Sequence, residues 1–478
     1  MIRKYLAVIV VYGMAMAASL TFYLQKPLIV EDKGRLLPTE IKAIRPATNP
    51  ESLQKWIRKA AERGEKISVA GMQHSQGGQT YFPGGIMLDM RGYDHVLAYH
   101  PEKKTITVQC GATWADVQKV IHPDGLAVRV MQSQNIFTVG GSLSVNAHGR
   151  DIRFGSLMDT VQSFRLLTAD GEILNVSRTE NREWFPLAIG GYGLFGILLD
   201  VTLKLTDDEL YTIRTNAMQY DEYPDYFMKR VKQDPDVRMH IARISVAPDA
   251  SFLREMYVED YVLAEDQSLR SEYDRLKQER FVAVPKFFLG LSRYSDWGKT
   301  LLWKAQKRYF LQRDGILQTR NNAMRSDSQF LQYNSPRRTE TLQEYYVPVS
   351  EFVPYLDEMR DLLEKEHLNL LNITVRFVNH GHDQPVLSYA KTKDMFALVF
   401  LINQGLNKED TTRTTRIVRD MIDLTLAHEG SYYLPYYSYP TKAQFRKAYP
   451  HAESFFEAKR KYDPAGVFTN LFYEEYGK

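Results

Sequence analysis

The sequence predicts an α+β protein in two parts, led by one membrane-crossing helix. Three observations carry this prediction. Short strand-like runs alternate with helices from about residue 45 to 206. From about Asp207 the character changes, with longer helical patterns and many aromatics. Ahead of both, YLAVIVVYGMAMAASLTFYL (5–24) is an uncharged apolar run long enough to span a bilayer as a helix. The expected divisions are an anchor at 1–24, a polar linker at 25–44, a first domain at 45–206, a second at 207–437 and a C-terminal segment at 438–478.

Arg3 and Lys4 precede the apolar run, and the flanking-charge bias keeps them cytoplasmic. The body is then extracytoplasmic, and periplasmic if the source is bacterial. A second reading stays open. Ala15-Met16-Ala17 resembles a small-residue cleavage site, which would give a secreted protein. The apolar run continues past that site to Leu24, which favours a retained anchor.

Each element of the first domain has a local signal. Asn49 caps a helix with Pro50 at its first position, Leu53, Ile57 and Ala60 share one face, and Gly64 ends it. KISVA, GIMLDM, HVLAY and TITVQC read as strands. Thr113 and Asp116 cap the short helix ATWADVQKVI. VQSFRLLT and EILNV flank Asp170-Gly171, a hairpin signal. Near the C-terminus a helical stretch stops at Asp463-Pro464.

Composition narrows the function. The 478 residues carry a formal charge of only +3, so nucleic acid is not an expected partner. There are 30 tyrosines, whose flat faces and polar tips suit a ligand-lined cavity. The one cysteine, Cys110, excludes an internal disulfide or a cysteine-based metal site, and its strand context points to a buried packing role. No metal is expected.

Gly191, Gly193 and Gly196 spell GxGxxG, but the context is wrong for a Rossmann site. Such a fingerprint needs a strand before it and a helix after it. Here ENREWFPLAI looks helical, and ILLDVTLKL alternates like a strand. The glycines instead allow close approach of backbone to a ligand or a neighbouring strand.

Two other segments carry more chemistry. GMQHSQGGQ (71–79) and TVGGSLSVNAHG (138–149) each set glycines among Ser, Thr, Asn and Gln. Loops of this composition can aim successive N–H groups at phosphate. A pair of them can clamp one diphosphate from two sides. Two tight surface turns are the plain alternative.

The stretch from about Ile44 to Thr206 resembles the FAD-binding domain of the vanillyl-alcohol oxidase/PCMH flavoprotein family. The matching blocks are VAGMQHSQGG, GGIMLDM, TITVQCGATWADV, GLAV, FTVGGSLSVNAHG, LLTADGEIL and GGYGLFGILLDVTL, in family order and spacing. The likeness is greatest to sugar-oxidising members: aldonolactone oxidases such as D-arabinono-1,4-lactone oxidase, alditol oxidases, and decaprenylphosphoryl-ribose oxidase. It resumes in VRFVNHGHDQPVLSYA, GSYYLPYYSYP and KYDPAGVF. It implies a two-part PCMH-type FAD-binding domain, an α+β substrate (cap) domain, and a C-terminal segment that returns to the FAD domain.

The resemblance also implies roles. His74 sits where many members bond a histidine to the flavin 8α-methyl carbon; a neutral imidazole can add there, or it can only hydrogen-bond the cofactor. Gly71, Gln73, Ser75, Gln76, Gly77, Thr138, Gly140, Gly141, Ser142, Asn146 and Ala147 become candidate FAD contacts, with Ile197 touching through backbone. Arg376, His148 and Tyr436 become catalytic candidates, and Tyr433 and His380, with Tyr436, candidate pocket residues. Two departures leave the relatives' substrates in doubt. Thr374 stands where alditol oxidases carry a Glu, and Tyr436 where the ribose oxidase has a lysine.

The expected activity is FAD-dependent oxidation of an alcohol on a small-molecule or lipid-linked sugar, or on a polyol. A flavin-dependent C=C reductase and a non-catalytic flavoprotein of an envelope complex are the alternatives. The electron acceptor and oligomeric state are not legible. Residues 285–313 mix Phe, Leu and Trp with Lys and Arg. That pattern fits a segment on a membrane surface and, equally, a core helix with a solvated basic face.

Overall fold

The computed structural model describes residues 27–279, 282–391 and 394–478, with Tyr5, residues 10–16 and Ser19 of the leading apolar run. The expected membrane-crossing helix thus lies for the most part outside the described residues. Among those described, no helix is long and apolar enough to cross a membrane.

The expected linker proves to be folded. β1 (Leu28–Val30) and β2 (Thr39–Ile41) pair as an antiparallel ribbon. Val30 and Ile41 pack with Ala70, Tyr81 and Met87 of the first domain. Asp32 between the strands accepts from the N–H groups of Gly34 and Arg35 and from the Tyr81 hydroxyl. Burial still pushes its carboxyl up to about 6. Arg35 donates to the carbonyls of Ser335 and Arg338 in the second domain, 2.9 and 2.5 Å away. A reading by composition cannot see such partners 300 residues away.

The first domain holds two sheets. β3 (Ala43–Pro46), β4 (Ile67–Ala70) and β5 (Ile86–Asp89) form a parallel sheet in the order β3-β5-β4. The crossover helix α1 (Pro50–Arg63) starts in a capping box on Asn49 and ends at Gly64, whose φ of +66° suits a residue without Cβ. It buries Leu53, Ile57 and Ala60. β6 (Val96–His100), β7 (Thr105–Gln109), β8 (Leu126–Val128), β9 (Val161–Leu167), β10 (Ile173–Ser177) and β11 (Ile197–Asp207) form an antiparallel sheet, ordered β10-β9-β11-β7-β6 with β8 on β11. Helices α2 (Trp114–Ile121) and α3 (Val139–Ser144) lie between its strands in sequence. Strand β11 directly follows the GxGxxG string, so the chain leaves those glycines as a strand. A Cβ on Gly196 would lie 2.4 Å from the Leu167 carbonyl of β9, the close strand approach that requires glycine.

The second domain is built on one eight-stranded antiparallel sheet, with more strand than its aromatic-rich sequence indicates. Its strands are β12 (Leu210–Gln219), β13 (Val237–Ile244), β14 (Glu255–Leu263), β15 (Leu317–Thr319), β16 (Arg338–Pro348), β17 (Leu370–Asn379), β18 (Asp394–Gly405) and β19 (Ser431–Tyr432). They run β15-β12-β14-β13-β17-β18-β16-β19. A helical hairpin, α4 (Ala283–Tyr294) and α5 (Asp296–Leu311), packs Leu289 and Leu302 against Leu371 and Leu401. Leu401 shares a sheet face with Leu342, Glu344 and Tyr346. The opposite face carries Tyr345 and is covered by α6 (Phe352–Glu366) and α7 (Lys408–Ala427). The chain then returns to the first domain: the Ile67 N–H donates to the Val467 carbonyl at 2.7 Å, and the Thr469 N–H to that of Ile67 at 2.9 Å.

Candidate active site

The two glycine loops meet at a cleft in the first domain. Its walls include Gly71, Ser75, Gln79, Thr138, Gly140, Gly141, Val145, Gly193 and Gly196. Backbone fills the places that side chains would take. A Cβ on Gly71 would lie 2.2 Å from Thr138 Oγ1, and one on Gly140 would lie 2.7 Å from Cys110 Cβ. Gln73 turns the first loop through the left-handed region at φ +53°. Among the described residues, the N–H groups of 71–75 donate to no protein acceptor. Such a run leaves successive backbone donors for an anion to take.

The second loop is built differently. The N–H groups of Val139, Gly140 and Ser142 donate to the carbonyls of Ala112, Cys110 and Thr138. Ser142 Oγ donates to the Thr138 carbonyl and accepts from Trp114 Nε1. Asn146 Oδ1 accepts from the Met158 N–H, and Ala147 is buried in the core. Ser142, Asn146 and Ala147 therefore hold the loop's shape. Gln76 shapes the first loop in the same way. Its N–H donates to the Pro435 carbonyl at 2.7 Å, and its side-chain carbonyl accepts from the Leu342 N–H at 2.9 Å, tying the first loop to the second domain. The Gly77 N–H is taken by Gln79. Ile197 turns into the core while its neighbours Gly196 and Leu198 line the cavity.

His74 sets its ring edge-on to Phe137 with centroids 4.8 Å apart, joining the two loops. Burial, with some help from Lys33, depresses its pKa to about 4. The ring is neutral at physiological pH, the form that has a lone pair to give.

Across the domain junction lies a second cluster. His148 follows the second loop, and its Nε2 is 2.7 Å from Glu344 Oε1, both side chains being buried. The Tyr436 hydroxyl donates to Glu344 Oε2 at 3.2 Å. Burial alone would push the Glu344 carboxyl up. The His148 imidazole, the Arg376 guanidinium and the Tyr436 hydroxyl more than offset this and hold it below the ordinary glutamate range. An ionised carboxylate only accepts, so His148 Nε2 donates in this pair. The other ring nitrogen, Nδ1, is buried without a partner among the described residues. The buried Nε–H of Arg376 likewise finds no acceptor among the described residues.

Sheet register explains how these groups meet. Glu344 and Thr374 both pair with Val399, so they stand in one row of one face. Arg376 and Tyr346 both pair with Ala397 in the next row. The carboxylate that the resemblance places at 374 is missing there, and Glu344 presents one two strands away. Tyrosines close the cluster. Tyr389 and Tyr433 donate their hydroxyls to the Asn146 and Val145 carbonyls at 2.8 and 2.9 Å, and Tyr346 stacks on Tyr389 at 4.6 Å. Val145 is the shared wall: it lines the glycine cavity and packs against Tyr433 and Tyr436.

The FAD binding domain family matches residues 41–177, and the D-arabinono-1,4-lactone oxidase family matches residues 264–476. The chain is a PCMH-type FAD-linked oxidoreductase. Decaprenylphosphoryl-beta-D-ribose oxidase of Mycolicibacterium smegmatis is 23% identical over 460 residues, spanning 91% of this chain and 95% of that one. L-gulono-1,4-lactone dehydrogenase of Mycobacterium tuberculosis is 24% identical over 438 residues, 89% of this chain and 94% of its own. Bovine (Bos taurus) L-gulonolactone oxidase is 31% identical over 157 residues, 33% of this chain and 36% of its own.

In this flavoenzyme the cavity fits a dinucleotide: glycine walls, free N–H groups and a neutral imidazole at one edge. Two groups of functional residues escaped the sequence. Gln79, Thr80 and Tyr192 line the cavity; Gln79 and Tyr192 lie inside the motifs and Thr80 is one residue beyond the first, so reading every polar or aromatic position of each motif finds them. Glu344 has no local signal, since TETLQEYYVP is an ordinary alternating strand and His148 lies 196 residues away. His380 is half-buried in the stretch after β17, outside both clusters.

Proposed function

We propose that this flavoenzyme oxidises a CH–OH group of a sugar, polyol or lipid-linked sugar, with FAD tethered through His74. Bound FAD supplies the two-electron acceptor that takes hydride from the alcohol carbon. The chain does the rest. The free N–H groups of 71–75 hold the pyrophosphate, with Ser75 and Thr138 hydroxyls beside them. His148 Nδ1 takes the substrate hydroxyl proton, and Glu344 fixes the ring and stabilises the imidazolium that forms. Arg376 supplies positive charge where negative charge develops. Tyr436 holds Glu344 and orients the substrate hydroxyl. The tyrosine shell excludes water, which strengthens each of these interactions. Residues 5–24 hold the body to the membrane from the extracytoplasmic side.

One observation carries the reading: a buried imidazole–carboxylate pair with an unpartnered ring nitrogen is enclosed by tyrosines that pack on Val145, a wall of the dinucleotide cavity. The test is to denature purified protein in acid and ask whether flavin fluorescence stays with the chain, and whether His74→Ala releases it. Anaerobic bleaching by sugars and polyols, but not by NADPH, is expected; bleaching by NADPH alone would replace alcohol oxidation with reductase chemistry.

A further inference from the structure

We propose that the α4–α5 hairpin docks on the lipid bilayer and lays the substrate entrance against it. The hairpin buries one side of each helix and leaves an apolar stripe uncovered. Val284, Phe287 and Tyr294 of α4 recur at helical spacing, as do Trp297 and Leu301 of α5. Phe287 and Trp297 are each 62% exposed, and Tyr294 is 68% exposed. Two bulky apolar side chains so open to water, on adjacent helices, mark a face that another phase covers. The α5 stripe continues into exposed Lys304 and Arg308. From Ala283 to Leu311 the exposed charges are Lys286, Lys304 and Arg308 against Asp296, while Arg293 and Lys307 pair with Glu340 and Glu255. An apolar stripe flanked by Lys and Arg suits acyl chains below anionic headgroups.

The occupant follows from where the chain enters the fold. The apolar run ends at Leu24, four residues before Leu28, so β1 begins within about 14 Å of wherever that run ends. Leu28 and Ile29 are themselves exposed. The ribbon turn and the hairpin then grip the same bracket. Arg35 holds the carbonyls of Ser335 and Arg338. Arg293 of α4 pairs with Glu340 at 2.5 Å and stacks on Tyr333, whose hydroxyl meets that of Tyr294 at 2.9 Å. A bilayer that holds residues 5–24 therefore lies beside the uncovered stripe.

The hairpin also covers the sheet face that bears Glu344 and Arg376. Leu401 beneath it is four residues along β18 from Ala397, the partner of Arg376, a span of about 14 Å. A docked hairpin would bring an alcohol carried on a lipid close to the sheet that bears the site. That last step rests on the proposed alcohol oxidation; the docking rests only on the proposed membrane anchor at residues 5–24.

The test uses the full chain reconstituted into phosphatidylcholine–phosphatidylglycerol vesicles with brominated acyl chains. Trp297 is one tryptophan of five, and Trp114, Trp184 and Trp303 are buried. The bromolipid should remove about one-fifth of the emission, and Trp297→Phe should abolish that loss. Phe287→Glu with Leu301→Glu should abolish it too, with flavin absorbance unchanged as proof of folding. Undiminished quenching in either variant, or none in the parent, overturns the proposal. Disulfide capture between copies at Trp297→Cys, without quenching in the parent, assigns the face to self-association instead. Flavin content and bleaching read the catalytic proposal separately.

Discussion

Replacing Glu344 by Gln keeps the shape of the buried pair and removes its charge. In the parent, the bond from His148 Nε2 at 2.7 Å is charge-assisted, and such bonds contribute about 1.5–3 kcal/mol. A neutral amide acceptor in the same place contributes about 0.5–1.5 kcal/mol. The difference, about 1–1.5 kcal/mol, is the counter-charge lost by the imidazolium when His148 takes the proton. It converts to a roughly 5- to 12-fold slower proton transfer. Leucine goes further. It frees the ring's tautomer and leaves both buried nitrogens unpaired, so the general-base contribution of about 10²–10⁴ is at stake. The assay is anaerobic stopped-flow bleaching of the flavin by a substrate alcohol. The saturating rate should fall in the order parent, Gln, Leu, while half-saturation changes little. Equal saturating rates at full flavin occupancy, or an effect confined to half-saturation, would refute the assignment of Glu344 as the positioning residue for His148.

Gly71→Ala drives a Cβ to 2.2 Å from Thr138 Oγ1, so flavin content should collapse with a stability loss of about 1–3 kcal/mol, read by absorbance ratio and melting. Arg320 is fully buried, pairs with Asp151 at 2.7 Å and donates to the carbonyls of Val128 and Arg129; Arg320→Met should cost about 3–5 kcal/mol in urea unfolding. Asp32, raised by burial from 3.8 to about 6, holds its proton more tightly when folded, so its share of stability is present below pH 4 and lost as pH rises to 6. Asp32→Asn should therefore gain at most about 3 kcal/mol over the parent at pH 7, and that gain should vanish near pH 4 in thermal melts across pH.

What the sequence disclosed was what short-range physics controls. The Asn49 box, the Thr113–Asp116 box and the Asp170-Gly171 hairpin are decided within four residues. GxGxxG was separable from a Rossmann site because its flanking periodicity is also local. Sheet order was not legible, since the β13–β17–β18–β16 neighbours are brought together by long crossovers. Glu344 was hidden for the same reason: only register puts it in the row of Thr374. The composition of 25–44 reads as linker because its partners, Tyr81 and the 335–340 bracket, are far along the chain.

Gln76 has a consequence for biosynthesis. The loop that carries His74 is pinned by the Leu342 N–H and the Pro435 carbonyl, groups translated more than 250 residues after it. A nascent first domain lacks those two restraints, so capture of the flavin is a late event of maturation. The cofactor must be at hand in whichever compartment the finished chain folds, and truncation before residue 435 should leave the ribosome's product colourless.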